Sequence, residues 1–225
     1  MELCESGSLA EYISHKDGQI EEDVLWNIIY ELAKGLRDIH NAQVAHLDLK
    51  PSNILLDETG NLRIGDFGFS LQCSGEPRDI RGEGDRRYMA PDLLKDHFDM
   101  PADIYSFGLI LLEMVTRTVL PDTGESWEML RLGDFSDYKM THVSQALQDL
   151  IRRLLTLNEK DRPTAQELLD HDDLKRFKAQ DSSPHKGALY EYVKEIQDMS
   201  GDGESRLKRQ DTYSTPKMKT DHCWY

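Results

Sequence analysis

Apolar and polar residues recur along most of the chain with the period of amphipathic helices. Between Asp23 and His40 apolar residues return every three or four positions, which predicts a long helix with one buried face. Pro101–Glu113 is apolar on nearly all sides, which is typical of a helix in the middle of a core. Shorter helices are predicted at Glu125–Leu132, Val143–Thr156 and Ala165–Leu169.

A different pattern, of short apolar runs and turn residues, follows the first long helix. Val44–Ala45, Ile54–Leu56 and Leu62–Gly65 each predict a short strand. Asp57–Asn61 is rich in turn-forming residues and predicts a hairpin between the second and third strands. This hairpin would return the next residue, Asp66, to the loop that precedes the second strand.

Four polar side chains are therefore expected at one end of a small sheet: Asp48, Lys50, Asn53 and Asp66. Phosphoryl transfer needs a carboxylate to orient and deprotonate a hydroxyl, oxygen ligands for magnesium, and positive charge beside the moving phosphoryl group. Asp48 suits the first role, Asn53 and Asp66 the second, and Lys50 the third. Each residue alone is also a common turn residue. Their order, and the Asp-Phe-Gly that begins at Asp66, favour the catalytic interpretation.

The stretches Val44–Asn53 (VAHLDLKPSN) and Ile64–Gly68 (IGDFG) resemble the catalytic loop and the magnesium loop of eukaryotic protein kinases. The resemblance continues in the same order to about Phe177 and so covers most of the chain. It implies an α+β fold, namely a mostly helical lower lobe of a kinase with a small β-hairpin sheet at the active site. It also implies that ATP and Mg²⁺ are the cofactors.

The resemblance assigns a role to each residue of this site. The catalytic residues are expected to be Asp48 and Lys50, and the magnesium ligands Asn53 and Asp66. The first nine residues resemble the hinge between the two lobes of a kinase. The residues expected to bind the nucleotide are Glu2 and Cys4 through their backbone at adenine, Ser8 at the ribose, and Leu55 on the floor of the pocket. Ser8 is also expected to cap the next helix.

Downstream residues resemble the activation segment of a kinase and its anchors. Ser70–Arg81 is polar and is expected to be flexible, whereas Glu83–Asp92 (EGDRRYMAPD) resembles the part that receives the substrate. In the family, the acid at the end of this part pairs with an arginine far downstream, which here is Arg162. Asp103 resembles the family acid that accepts hydrogen bonds from the catalytic loop, although an acid in a first helical turn is also favourable by itself.

Three features of the sequence resemble those of the Wee and membrane-associated Wee-like inhibitory kinases. Leu47 precedes the catalytic Asp, where most kinases have an arginine that binds a phosphate of the activation segment. The motifs EGDRRY at Glu83 and HLDLKPSN at His46, and the stretch Leu120–Trp127, are similar to those of the Wee group. These kinases phosphorylate the ATP-site Tyr, or Thr and Tyr, of a cyclin-dependent kinase and delay mitosis. The resemblance therefore implies a cyclin-dependent kinase as substrate, and leaves the acceptor open among Tyr, Thr and Ser.

The expected domain organisation is a kinase domain with hinge and lower lobe only at residues 1–178, and a flexible tail at 179–225 with a possible short helix at Leu189–Met199. No Gly-rich phosphate loop, strand lysine or helix glutamate precedes Met1, so the N-terminal lobe is expected to be absent from these residues. An incomplete chain, or a gene model begun at an internal methionine, explains this most simply. The alternatives are a truncated, inactive kinase-like interaction module and a fragment of a general serine/threonine kinase.

Composition narrows the class of partner. The net charge of −15 argues against nucleic acid as the main partner. Cys4, Cys73 and Cys223 are scattered and lack the spacing of metal ligands, which favours free thiols in a reducing setting. The expected location is therefore intracellular, in the nucleus or the cytoplasm. No apolar run reaches the ~18 residues that a membrane span needs, so none is expected.

Overall fold

Helices pack their apolar faces together in the part of the chain that the computed structural model describes, residues 6–73, 84–175 and 186–201. The helices are α1 Leu9–His15, α2 Glu22–Asn41, α3 Pro101–Thr116, α4 Glu125–Arg131, α5 Gln145–Leu154, α6 Ala165–Leu169 and α7 Tyr190–Gly201. Single 3₁₀ turns lie at Pro51–Asn53, Leu93–Lys95, Glu159–Asp161 and Asp172–Leu174. The strands are β1 Val44–Ala45, β2 Ile54–Leu56, β3 Leu62–Ile64 and β4 Leu71–Gln72. The predicted α+β class is confirmed.

Helix α3 forms the centre of the core. Every residue from Ala102 to Val115 is buried, as its nearly uniform apolar composition predicts. Helix α5 packs against α3, whereas α2 buries one face against α6 and β3. In the described ranges, no helix is both long and apolar enough to cross a membrane.

Two antiparallel pairs of strands lie beside this helical core. In the predicted hairpin, Ile54 of β2 lies opposite Ile64 of β3. The carboxylate of Asp57 accepts hydrogen bonds from the backbone N–H groups of Thr59 and Asn61, which closes the turn. Strand β4 pairs with β1. The expectation that the chain is flexible from residue 70 is therefore wrong for Leu71 and Gln72. The remainder of that stretch, residues 74–83, lies outside the described residues.

The C-terminal segment 186–199, here called the strap, packs on the back of the hairpin. The N–H of Gly187 donates to the Thr59 carbonyl (2.9 Å), and that of Leu189 donates to the Gly60 carbonyl (3.1 Å). Gly60 permits this approach, because a Cβ there would lie 2.3 Å from the Tyr190 nitrogen. Leu189 and Val193 are buried. The prediction of a flexible tail missed this packing, although it included the short helix; the predicted boundary at residue 178 lies outside the described residues.

Candidate active site

The carboxylate of Asp48 is the centre of the site. Asp48 lies in the loop between β1 and the 3₁₀ turn and is only 5% exposed. Its Oδ2 accepts hydrogen bonds from Lys50 Nζ (2.8 Å) and from Asn53 Nδ2 (3.1 Å). Its Oδ1 accepts one from the backbone N–H of Asp85 (3.0 Å). Three of the four residues predicted to share this site are thus in direct contact.

The loop that carries Asp48 is held by Asp103, in the first turn of α3. The fully buried carboxylate of Asp103 accepts hydrogen bonds from the N–H groups of His46 and Leu47, both at 2.8 Å, and contacts His40 Nε2 at 2.9 Å. Leu47 has φ +63°, a left-handed conformation that costs a non-glycine residue ~1–3 kcal/mol. The hydrogen bonds to Asp103 stabilise this strained turn. The predicted contact of Asp103 with the catalytic loop is confirmed.

The fourth predicted residue, Asp66, is positioned through its neighbour Gly65. The Gly65 N–H donates to the Asn53 carbonyl (2.8 Å), and the Gly65 carbonyl contacts His46 Nε2 (2.9 Å). Asp66 follows at once with φ +59°, and its exposed carboxylate accepts a hydrogen bond from the Gly68 N–H (3.2 Å). The hairpin therefore returns Asp66 to the side of Asn53, as its register predicts.

The amide of Asn53 is oriented in a way that suits a magnesium ligand. Its Nδ2 donates to the Asp48 carbonyl (2.8 Å) and to Asp48 Oδ2 (3.1 Å), so its Oδ1 faces away from Asp48. Mg²⁺ is usually bound by one or two protein carboxylates together with phosphate oxygens and waters. Within the ranges that the structure describes, no group of three or more His, Cys, Asp or Glu forms a metal cage. Asn53 and Asp66 each offer the oxygen donors that Mg²⁺ prefers, and their role as magnesium ligands stays a prediction.

The residues expected to bind the nucleoside lie beside the hairpin. The side chain of Ser8 accepts a hydrogen bond from the Glu11 N–H (3.3 Å) and so caps α1, as predicted. Ser8 also forms an antiparallel bridge with Leu55 of β2. The structure thus brings Ser8 and Leu55 together. Glu2 and Cys4 lie outside the described residues, so their contacts with adenine stay a prediction.

Residues Gly84–Tyr88, here called the substrate segment, lie over the catalytic loop. The Tyr88 hydroxyl donates a hydrogen bond to the buried carboxylate of Glu113. Burial raises the pKa of Glu113, and burial together with the nearby Glu113 raises the pKa of Tyr88. Sequence reasoning missed that Asp85 contacts Asp48. The EGDRRY motif marked the segment but did not indicate which residue would reach the carboxylate.

The predicted pair of Asp92 and Arg162 is confirmed. The Arg162 guanidinium donates to the Asp92 carboxylate and to the Pro101 carbonyl (2.9 Å), and its side chain is fully buried. It also lies 4.8 Å from the ring centroid of Tyr105 in α3. The end of the segment that begins at Gly84 is therefore fixed to the core, even though its acid is Asp rather than Glu.

Comparisons with known proteins agree with this geometry. The sequence profile of the protein kinase domain matches residues 1–173. The chain is 44% identical over 140 residues to the mitosis inhibitor protein kinase wee1 of Schizosaccharomyces pombe, an alignment that covers 61% of this chain and 16% of that protein. It is 43% identical over 142 residues to the mitosis inhibitor protein kinase SWE1 of Saccharomyces cerevisiae, with 60% and 17% covered.

A third relative is the membrane-associated tyrosine- and threonine-specific cdc2-inhibitory kinase of Drosophila melanogaster. The identity is 35% over 175 residues, covering 77% of this chain and 32% of that protein. The chain thus spans less than a third of the length of each of these three relatives.

Proposed function

Because this chain belongs to the protein kinase domain family, we propose that it is the lower, catalytic part of a Wee-type kinase that transfers the γ-phosphoryl group of ATP to a hydroxyl of a cyclin-dependent kinase. The support for a Wee-type assignment is the similarity to mitosis inhibitor kinases from two yeasts and to a cdc2-inhibitory kinase from an insect. The general use of ATP and Mg²⁺ follows from the family.

One observation carries the proposal: the carboxylate of Asp48 is buried and held by three donors at once, from Lys50, Asn53 and Asp85. Two of these donors lie in the same loop as Asp48, and the third comes from Asp85, 37 positions away. Three donors fix the direction in which its remaining lone pairs point. That arrangement suits a group that must meet a hydroxyl in one orientation.

Each side chain of the site then has a role. Asp48 orients the acceptor hydroxyl and takes its proton as the new bond to the γ-phosphorus forms and the bond from that phosphorus to ADP breaks. Lys50, 2.8 Å from that carboxylate, places its ammonium group beside the transferred phosphoryl group and favours the charge that develops there. The Oδ1 of Asn53 and the carboxylate of Asp66 would hold magnesium. When bound there, magnesium would supply positive charge that offsets the negative charge of the phosphate groups.

The test uses a fusion in which the upper lobe of S. pombe wee1 precedes residue 1, here called the fusion. We expect it to transfer labelled phosphate from ATP to a cyclin-dependent kinase in a Mg²⁺-dependent reaction. Substitution of the ATP-site Tyr or Thr of the substrate, one at a time, identifies the acceptor. Intact wee1 is the positive control. A fusion that binds the substrate but transfers nothing, while wee1 does, would contradict the proposal and support the interaction-module alternative.

A further inference from the structure

The position of the catalytic carboxylate depends on the substrate segment. The Asp85 N–H donates to Asp48 Oδ1 (3.0 Å), and Gly84 makes this approach possible. A Cβ at Gly84 would lie 3.0 Å from Asp48 Oδ1 and 3.2 Å from the Leu47 carbonyl oxygen, which is tighter than ordinary contact. Any displacement of the segment would therefore release one of the donors that orient Asp48.

Two side chains of α4 hold the substrate segment by its backbone. Arg131 Nη2 donates to the carbonyl oxygens of Arg86 (2.6 Å) and Arg87 (2.8 Å). Trp127 Nε1 also donates to the Arg86 carbonyl (2.9 Å). Because all three hydrogen bonds go to carbonyl groups, they do not depend on the side chains of the segment.

The same residues are joined by stacking. The guanidinium of Arg131 lies 4.5 Å from the ring centroid of Trp127, and that of Arg86 lies 4.7 Å from it. A guanidinium over a tryptophan face is attracted by the ring, more strongly when water is excluded. Trp127 is itself buried, and its contacts with Arg86 link the substrate segment to α4.

Packing alone does not explain a buried arginine at this position. Arg131 is 6% exposed, and its hydrogen bonds within the described part of the chain all go to backbone carbonyl oxygens. Among the residues that the structure describes, the buried Nε of Arg131 has no hydrogen-bond partner, and burial lowers the pKa of the guanidinium to about 10. A charge in such surroundings is costly, and an apolar side chain would fill the space at a lower cost. The hydrogen bonds to the substrate segment therefore account for a buried arginine at this position.

We propose that Arg131 and Trp127 are positioning residues for phosphoryl transfer, which hold the substrate segment so that the Asp85 amide fixes the carboxylate of Asp48. Only the catalytic consequence rests on the proposed function. An arginine before Asp48 would provide a cation for a phosphate of the activation segment. Leu47 has no cation to offer and is buried in the core. The Arg131–Trp127 pair anchors the segment without a phosphate.

The first test measures amide hydrogen exchange in the 225-residue chain, which needs no activity. In the Arg131→Met variant we expect the Asp85 amide to exchange at least about 10-fold faster, because hydrogen bonds to a charged donor are lost. Trp127→Phe keeps an aromatic ring at this position but loses one donor, so its effect should be smaller. The control is Arg152→Met on α5, whose side chain is 49% exposed. It should leave the Asp85 amide unchanged.

A second variant acts on the other end of the contact and leaves α4 intact. Gly84→Ala should push the segment away from Asp48 and accelerate exchange at Asp85 by about 10-fold as well, since one charge-assisted hydrogen bond is lost. If Arg131→Met fails to fold, Trp127→Phe tests the hold by α4 and Gly84→Ala tests the contact between Asp85 and Asp48. An Asp85 amide that exchanges at the wild-type rate in a folded Arg131→Met or Gly84→Ala chain would overturn the proposal.

The catalytic consequence is measured in the fusion. Arg131→Met should lower kcat by about 10-fold or more, because the base loses its orientation, while the KM for ATP stays within about 2-fold. Arg131→Lys keeps the charge but lacks the planar guanidinium that lies over the Trp127 ring, and should restore only part of kcat. Unchanged kcat would overturn the catalytic role. An inactive wild-type fusion would refute the proposed function instead, and faster exchange in the variants would then still support the anchor.

Discussion

Because the carboxyl group of Glu31 is largely buried, we predict that it makes the chain less stable as pH rises. Glu31 projects from α2, and its two oxygens accept hydrogen bonds from the N–H groups of Leu62 in β3 and Ala188 in the strap, both at 2.7 Å. Burial raises the pKa of Glu31 from its ordinary 4.5 to about 7, although these two bonds and Lys34 oppose the rise; the nearby Asp57 adds to it. The carboxyl group of Glu31 therefore joins the strap to the β2–β3 hairpin through hydrogen bonds to both.

The sign of the effect follows from the raised pKa. A group that binds its proton more tightly in the folded state contributes stability that is complete below its unfolded pKa of 4.5 and is lost as pH rises through about 7. At ~1.36 kcal/mol per pH unit, this interval corresponds to about 3 kcal/mol. Because Glu31 is partly exposed, we expect about 1–3 kcal/mol.

The assay compares urea unfolding of the wild-type chain and Glu31→Gln at about pH 5 and about pH 8. The glutamine amide can offer its oxygen to only one of the two N–H groups, so the variant should be less stable by about 1 kcal/mol at the lower pH. Its free energy of unfolding should then fall less with pH than that of the wild type. Glu128→Gln, at an exposed position of α4, is the control. Equal pH dependence in wild type and Glu31→Gln would refute the reasoning.

Three further predictions concern the core, the strap and regulation. In urea unfolding, Asp92→Asn should lower the free energy of unfolding by about 3–5 kcal/mol, because it leaves the buried Arg162 unpaired. The control Asp149→Asn, in an exposed pair, should lower it by under about 1 kcal/mol. Similar losses in the two variants would contradict burial of the first pair. Leu189→Ala should cost about 2–5 kcal/mol in urea unfolding, and Met199→Ala, at a 75% exposed site, under about 0.5 kcal/mol; an unaffected Leu189→Ala chain would show that the strap is not packed. Phosphatase treatment should leave kinase activity of the fusion unchanged, because Leu47 cannot bind a phosphate; a loss reversed by rephosphorylation would be inconsistent with this prediction.

The core of the site could be predicted because its residues are close together in the sequence. Asp48, Lys50 and Asn53 share one loop, and a single hairpin returns Asp66 to them. Strand pairing in a short hairpin is determined by its turn and by alternation of apolar residues, both of which are visible locally. Periodicity likewise placed α2 at 23–40, within a residue of its observed bounds at each end.

Local sequence patterns could not predict contacts between residues far apart in the chain. The family resemblance supplied two of them, Asp92 with Arg162 and Asp103 with the loop that carries Asp48. The Asp85 N–H meets Asp48 from 37 positions away, and Ala188 meets Glu31 from 157 positions away. Neither contact changes the periodicity of the segment in which it occurs. Strand β4 was missed for a related reason, because it lies in a polar stretch of the sequence and its pairing depends on the distant β1.

Some boundaries could have been placed better from the sequence. Helix α5 was predicted from Val143, but it starts at Gln145 because the Ser144 side chain accepts a hydrogen bond from the Leu147 N–H and caps it. A serine before an apolar periodic stretch is a recognised start signal. The strap had a weaker signal: Leu189 and Val193 have the four-residue spacing of one helix face, but nothing nearby indicates the surface that they cover.

The central claim is that Asp48 acts on the acceptor hydroxyl while Asp66 serves the magnesium–nucleotide complex. The most direct test measures kcat and Mg²⁺-dependent ATP binding for Asp48→Asn and Asp66→Asn in the fusion, with the exposed Asp149→Asn as control. We predict that Asp48→Asn lowers kcat by about 10²–10⁴-fold with ATP affinity nearly unchanged, because the carboxylate contacts the hydroxyl rather than ATP. Asp66→Asn should instead weaken Mg²⁺-dependent ATP binding. Wild-type turnover in Asp48→Asn would contradict the account.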